Sequence, residues 1–350
     1  MPTPMERIVL ASRPNGTPTE ENFRLERAEL PEPGEGEVAV KVHYLSLDPY
    51  MRGRMDDAKS YAKPVDVGGT MEGGTVGTVI ASRHPKYAEG DLVIGQFGWA
   101  THGVLPGNQV RRAPTNYGDA SAGLGVLGMP GFTGWFGLTE HGRPKEGETL
   151  VVGAATGPVG SMVGQLAKAR GLYVVGVAGG EDKCRHAVET LGFDACVDHR
   201  AHEDTKAMRV ALAEACPQGV DIYYENVGGK TLEAIMTLMN PFGRIPICGM
   251  IAYYDLGGLG GGPAEGPNLL PRMWRTILVG KLSVNGFIIS DHFDRFREFL
   301  EEVGPMVKDG RIRHQEDVAE GLASAPAAFL SMLKGGNFGK QVVKVAEDAA

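Results

Sequence analysis

The residues best placed to do chemistry lie between 154 and 160, where the chain reads Ala154-Ala155-Thr156-Gly157-Pro158-Val159-Gly160. A glycine at 157 lets the backbone approach a pyrophosphate with no Cβ in the way, and one at 160 lets a helix and a strand pack closely. The first position of the pattern is Ala155 instead of glycine. A helix beginning at Pro158 would point unpaired N–H groups and the positive end of its dipole at an anion. Alone, such a pattern also describes an ordinary tight turn. A second group follows downstream: Lys183, then His199 and Arg200, then the amide of Asn226, and then the adjacent hydroxyls of Tyr253 and Tyr254.

The elements around the turn decide between these readings. Thr149–Val152 is a short β-branched run suited to a buried strand, and Tyr173–Val177 is another. Between them Val159, Val163, Leu166 and Ala167 fall at i, i+4, i+7 and i+8, with Ser161, Gln165 and Lys168 opposite, which predicts a helix ended by Gly171. Strand, glycine turn, helix and strand in that order is the context a dinucleotide site requires. The alternation continues with helices over 182–191, 202–215, 231–239, 269–278 and 292–307. The intervening strands are expected over 195–198, 220–224, 244–248 and 283–289. This is a doubly wound α/β domain over about residues 126–305, whose ligands bind at the C-terminal ends of the strands.

Those ends form a rim. An NAD site wants an acid about twenty residues past the glycines to hold the ribose 2′-hydroxyl. Here Gly179 stands at the strand end and Glu181 comes two residues later. Lys183, His199 and Arg200 bring positive charge suited to a 2′-phosphate. The alternative makes Lys183 a solvated helix residue and Glu181 the ribose ligand. The balance of charge favours NADPH. Cys248–Asp255 forms a further rim loop, and Gly257–Gly262 beyond it suits either a lid or a loop of no consequence.

Residues 1–125 read differently. Met5–Ala11 and Phe23–Glu29 suggest an opening hairpin, and 37–45, 73–80 and 91–96 are short strands set between Gly, Pro and Asp turns, as in a β-rich domain. Leu45–Met55 contains Asp48, Tyr50, Arg52 and Arg54 among Leu and Met. It is either a structural loop whose aspartate caps the next turn or a pocket wall with Tyr50 and Arg52 or Arg54 facing a ligand. Gly125–Leu138 is apolar, with small residues that suit a closely packed helix. The segment from 306 to 350, running through 321–334 to a strand at 341–345, is expected to return to the first domain.

Composition narrows the partners. A chain of 350 residues with 42% hydrophobic and 22% charged residues is an ordinary globular protein of two domains. A net charge of −8, with no run of Lys or Arg, argues against nucleic acid or an anionic membrane. Residues 1–20 lack the apolar core of a signal peptide, and no stretch approaches a membrane span. Four scattered cysteines read as reduced thiols in a cytoplasmic protein. Nine dispersed histidines include His199 and His202 without a metal-ligand set around them, a pair better explained by a surface helix start. No nucleophile elbow or Walker loop is present. Hydride chemistry without a Lewis acid selects substrates whose developing charge a hydroxyl can stabilise.

Taken together, LSLDPYMRGRM (45–55), GMPGFTGWFGL (128–138), AATGPVGS (154–161), LGFDACVDH (191–199), YYENVGG (223–229), ICGMIAYYD (247–255), GFIISD (286–291) and NFGKQVV (337–343) resemble the zinc-free medium-chain dehydrogenase/reductases. More narrowly they resemble the NADPH-dependent alkenal/one oxidoreductases, which include prostaglandin and plant double-bond reductases. ASRPNGTPTEENFRLE (11–26) is similar to the bacterial curcumin reductase branch. The resemblance implies a GroES-like catalytic domain completed by the C-terminal segment, a Rossmann domain, no metal and a homodimer. It implies that Gly157, Pro158, Val159 and Gly160 hold the pyrophosphate and that Lys183 meets the 2′-phosphate. Asn226, Cys248, Asn337 and the backbone of Phe287, Ile288 and Ile289 would line the cofactor, with Tyr254 and Tyr50 in the active site.

Two departures stand out. His199 occupies a position that is tyrosine in many relatives, which makes 2′-phosphate affinity pH-dependent. Ala252-Tyr253 precedes Tyr254, so either tyrosine is a candidate hydroxyl. The implied reaction is NADPH-dependent reduction of the C=C bond of an α,β-unsaturated aldehyde or ketone. A quinone reductase on the same scaffold and a non-catalytic NADPH-binding protein are the rivals.

Overall fold

The computed structural model describes residues 3–58, 60–256 and 269–346, so the glycine stretch read as a lid lies outside the described residues. These residues divide into two units. One comprises 3–128, 254–256 and 315–346, and the other 129–253 and 269–314.

In the first unit, Thr3–Leu10 and Phe23–Leu30 pair antiparallel, with Thr3 opposite Leu30 and Leu10 opposite Phe23. A seven-stranded sheet runs in the order Glu316–Glu320, Lys340–Lys344, Glu37–Ser46, Thr75–Ser82, Leu92–Gly95 and Arg111–Arg112. One edge of the strand Glu37–Ser46 is shared. Its first residues, Glu37 to Lys41, pair with His102–Pro106, and its last, Tyr44 to Ser46, pair with the C-terminal strand.

The alternation Val38, Val40, Val42 buries one face with Val79, Val93, Phe97 and Val110. A second cluster gathers Leu10, Leu45, Met51 and Met55 around Trp99, which stacks on Phe23 at 5.4 Å and meets Phe329 edge-on at 5.5 Å. Phe329 comes from the helix Ala325–Leu333, so the last part of the chain is built into this unit's core. The strands His102–Pro106, Arg111–Arg112 and Glu316–Glu320 escaped the sequence reading because they are short and, in the last two cases, polar.

The second unit is a six-stranded parallel sheet in the order Ala195–Asp198, Tyr173–Ala178, Thr149–Gly153, Val220–Tyr224, Met239–Ile247 and Ser283–Gly286. Thr149–Gly153 is buried along its whole length and Val220–Tyr224 at every residue but Asp221, as parallel strands covered on both faces are. The winding reverses between Thr149–Gly153 and Val220–Tyr224, the place where ligands bind in such sheets. The helices Pro158–Ala169, Glu181–Glu189, Thr205–Ala215, Gly229–Ile235, Leu270–Gly280 and Phe296–Lys308 connect or follow the strands.

Boundaries differ from expectation where local chemistry decides them. The helix expected from His202 begins at Thr205, because Asp204 accepts the Ala207 N–H at 2.7 Å and caps it. The helix expected to reach Met239 stops at Ile235, and Met239 already pairs with Val220. The ladder then skips to Ile222 opposite Arg244, so Asn240–Gly243 is accommodated as a bulge. The helix expected from Gly125 starts at Met129, after a 3-10 turn at Ala120–Leu124.

Candidate functional site

The second unit carries the glycine turn expected to cradle an anion. Ala154 leaves the strand Thr149–Gly153 at φ +51°, and Ala155 N–H reaches back to Val177 O at 3.0 Å. Gly157 is then extended and precedes the helix Pro158–Ala169, with Pro158 at the first position. No side chain caps this helix, so its first N–H groups, those of Val159 and Gly160 among them, have no intrahelical acceptor. A Cβ at Gly157 would meet only the Ala154 carbonyl, at 3.2 Å. A Cβ at Gly160 would lie 2.3 Å from that carbonyl, so Gly160 is demanded by the turn. The same helix packs closely again at Gly164, whose Cβ would fall 1.9 Å from the ring of Phe193 in the loop before the strand Ala195–Asp198.

The basic residues share one rim at the ends of the next two strands. The side chains of His199 and Arg200 lie against Gly179, where a Cβ would stand 2.8 Å from His199 Nε2 and 2.9 Å from Arg200 Nε and push them aside. Asp198 accepts the Gly180 and Arg200 N–H groups at 2.8 and 2.9 Å, so its carboxylate is engaged by the main chain. Burial opposes its ionisation, yet these N–H groups and the charges of His199 and Arg200 hold its pKa below the usual value. Burial lowers the His199 pKa, and Lys230, Arg200 and Lys183 lower it further against the pull of Asp198. Lys230 was not anticipated from the sequence. It follows the Gly228-Gly229 pair, and its Nζ donates to His202 O. Glu181 is exposed on the first residue of its helix.

The rim beyond the third strand end is built from main chain and a buried acid. The Asn226 amide donates to Gly153 O at 2.9 Å, tying together the two strands at the point of reversal. Glu225, 1% exposed and overlooked in the sequence, accepts the N–H groups of Val227 and Gly228 and the Tyr223 hydroxyl. Burial raises its pKa and those donors pull it back. Tyr253 is built into the same turn: its hydroxyl accepts the Gly229 N–H at 2.9 Å, and its ring fills the space a Cβ at Gly228 would need.

Cys248 donates its N–H to Glu225 O at 2.9 Å, and burial pushes its thiol up to about 12, so it is an uncharged wall. The last strand ends at Gly286, short of the expected Ile289. Phe287 and Ile288 therefore follow it as irregular backbone and Ile289 opens a 3-10 segment, all three half-buried at the C-terminal end of the sheet. The Phe287 ring packs against Phe136 at 5.6 Å and His141 at 5.3 Å.

In the first unit, Tyr50 precedes the helical turn Met51–Arg54. Arg54 lies over the Tyr50 ring at 5.5 Å and the Tyr61 ring at 4.4 Å, and its Nε is 3.2 Å from Glu72. Burial, with Asp48 and Glu72 nearby, drives the Tyr50 hydroxyl far above the ordinary tyrosine range, so it remains a neutral group. Arg52 is 0% exposed. It donates to Asp56 and to Gly16 O, both at 2.7 Å, and stands 3.4 Å from Asp255. Arg52 and Arg54 are thus committed to protein partners, which corrects the reading of either as a ligand-facing cation.

Asp48 is corrected too. Its side chain takes the Ser46 hydroxyl and Lys340 Nζ (2.9 Å), and the turn is closed by its carbonyl instead. Tyr254 lies in the 3-10 segment Ile251–Leu256, half-buried, next to Asp255, which Arg52 and the Thr17 hydroxyl (2.8 Å) anchor. The Asn337 amide donates to Gly339 O at 2.7 Å. Tyr50, Tyr254 and Asn337 belong to this unit, and the remaining predicted site residues to the other.

Among the described residues, no group of three or more His, Cys, Asp or Glu is placed to hold a metal ion, and no helix is long and apolar enough to cross a membrane. Residues 6–113 match the family model described as the N-terminal domain of oxidoreductase, and residues 158–304 the one described as zinc-binding dehydrogenase. An NADPH-dependent curcumin reductase of Escherichia coli (strain K12) is 51% identical over 98% of this chain and 97% of its own. A 2-alkenal reductase (NADP(+)-dependent) of Nicotiana tabacum is 37% identical over 98% of both chains. The crystal structure of CurA from Vibrio vulnificus in complex with NADPH matches with a TM-score of 0.91 at 46% identity, covering 98% of this chain and 99% of that one. The chain therefore belongs to the zinc-free medium-chain dehydrogenase/reductase family, as an oxidoreductase of its NADPH-dependent branch.

Proposed function

We propose that this protein reduces the carbon–carbon double bond of α,β-unsaturated aldehydes and ketones and leaves the carbonyl intact. The observation that carries this reading is a glycine turn at Gly157–Gly160 opening a helix with no side-chain cap, beside a basic rim, in a chain half identical to a curcumin reductase along nearly its full length. The cradle fits NADPH: the turn leaves Gly157 open, and the strand end that would offer an acid to a ribose carries Gly179 under His199 and Arg200. Gly157, Pro158, Val159 and Gly160 would hold the pyrophosphate, and Lys183 with His199 the 2′-phosphate. Asn226, Cys248, Phe287, Ile288, Ile289 and Asn337 would line the rest.

Bound NADPH supplies a hydride for the β-carbon. As negative charge then gathers on the carbonyl oxygen, the Tyr254 hydroxyl donates a hydrogen bond to it, and solvent protonates the α-carbon. One positioned donor of this kind is worth roughly 2.7–4 kcal/mol of barrier. Tyr254 is chosen over Tyr253 because Tyr253 is built into the Gly228-Gly229 turn, where its ring fills the space beside Gly228. Tyr50, held neutral, is a pocket wall. On the same reading residues 1–125 and 306–350 are the catalytic domain and 126–305 the NADPH domain, in a cytoplasmic homodimer.

NADPH oxidation with a simple enone, repeated with NADH and with a quinone, tests the reaction. The expected product has its C=C bond reduced and its carbonyl retained. Faster turnover of the quinone would instead make this a quinone reductase, and tight NADPH binding without any turnover would make it a non-catalytic binder. Tyr254→Phe should lower turnover by about two orders of magnitude while NADPH binding persists.

A further inference from the structure

Two of the cysteines that are scattered in the sequence meet in the fold. Cys184 lies on the first turns of the helix Glu181–Glu189, Cys196 lies in the strand Ala195–Asp198, and their sulfurs are 3.1 Å apart. The Cys196 thiol donates to the Cys184 sulfur. Gly176 on the neighbouring strand makes room, since a Cβ there would fall 3.2 Å from the Cys196 sulfur. Neither thiol is fully buried. Cys184 directly follows Lys183, and Cys196 is three residues before His199, so the pair bridges the two elements that carry the basic rim.

We propose that Cys184 and Cys196 form a reversible disulfide under peroxide, and that closing it weakens the hold of the rim on the 2′-phosphate of NADPH. The second half rests on the reading of Lys183 and His199 as ligands of that phosphate. The two thiols divide the labour. The hydrogen bond from Cys196 keeps the Cys184 pKa below the ordinary thiol value, against the effect of burial. The same bond, with burial, raises that of Cys196.

Cys184 therefore attacks the O–O bond of the peroxide as thiolate. The distal oxygen leaves as an alcohol, or as water from hydrogen peroxide, and Cys184 becomes a sulfenic acid. The Cys196 sulfur then attacks the Cys184 sulfur, an S–S bond forms, and water departs. Two thiols lose two electrons and two protons in total, and the peroxide gains them. A disulfide needs a sulfur separation of about 2.05 Å, so the two sulfurs must close by about 1 Å, a movement shared between rotation of the two side chains and a shift of the helix's first turn, which carries Lys183. Displacements of that size are large for a site tuned to bind an ion.

The test treats the full-length protein with hydrogen peroxide, maps thiols and disulfide-linked peptides by mass spectrometry, and titrates NADPH and NADH. A Cys184–Cys196 link is expected, with loss of two hydrogens. The NADPH dissociation constant should rise about tenfold with NADH unchanged, and dithiothreitol should reverse both. Cys196→Ser and, separately, Cys184→Ser should abolish the link and the affinity change. Oxidation elsewhere without this link overturns the proposal, and so does a link that leaves NADPH affinity untouched or shifts NADH equally. Lys183→Ala separates the two readings. If that variant binds NADPH normally while the disulfide still weakens it selectively, the switch stands and acts through His199.

Discussion

The turn Ala154–Gly160 is shaped by side chains that are absent, whereas the segment Asp48–Met55 is held by charges that reach far along the chain. At Gly160 the deciding fact is a carbonyl 2.3 Å from where a Cβ would be, supplied by Ala154 six residues earlier. At Asp48 it is Lys340, 292 residues later, whose Nζ also donates to Leu47 O at 2.6 Å. Arg52 likewise closes onto Gly16, 36 residues before it. An anion cradle of bare N–H groups needs only the local order of strand, turn and helix. A wall made of buried charges needs every partner, because each unpaired one is costly.

That contrast can be broken at either end. The largest effect is expected at the long-range charges. Lys340→Met should cost about 3–5 kcal/mol of stability, because it leaves Asp48 buried and unpaired. Adding Asp48→Asn should recover most of that loss in thermal unfolding. A single variant as stable as wild type would mean the wall does not depend on its distant partner.

At the cradle the effect should fall on binding, with folding spared. Lys183→Ala should weaken NADPH by about 1.5–3 kcal/mol, leave NADH unchanged and leave the melting temperature in place. A drop in melting temperature instead would place Lys183 among the structural charges.

The smallest effect concerns His199. Its lowered pKa makes the imidazole neutral at pH 7, and a phosphate dianion favours its protonated form. The affinity of wild type for NADPH should therefore gain on that of His199→Tyr as pH falls toward the depressed value, and level off below it. The comparison with the variant cancels the phosphate's own titration. A constant ratio across pH would show that His199 binds without taking up a proton while Lys183, Arg200 and Lys230 supply the charge.

The same contrast explains what could be read in advance. Thr149–Val152, the glycine turn and the periodicity of Val159, Val163 and Leu166 are local signals, and they located the sheet's point of reversal. Lys183, His199 and Arg200 could be placed on one rim because strand ends follow from strand order. Arg52 and Arg54 could not be told from ligand-facing cations, because nothing near them in the sequence announces Gly16, Asp255 or Glu72. Glu225 went unnoticed for a related reason. A lone acid between a strand and a glycine pair looks solvated until the donors of Val227, Gly228 and Tyr223 are seen closing around it. The adjacent Tyr253 and Tyr254 were indistinguishable by type, because nothing local announces that the Tyr253 hydroxyl accepts the Gly229 N–H.

The shared edge of Glu37–Ser46 also sets a clock on the chain's birth. On that edge Tyr44 to Ser46 find their neighbour in Val342 to Lys344, so the first unit cannot complete its sheet until those residues are made. All the described residues of the second unit precede that strand. At roughly 5–20 residues per second, the Glu37–Ser46 strand waits on the order of 15–60 s with that edge half covered. During that interval an open strand edge is the surface a chaperone would have to guard.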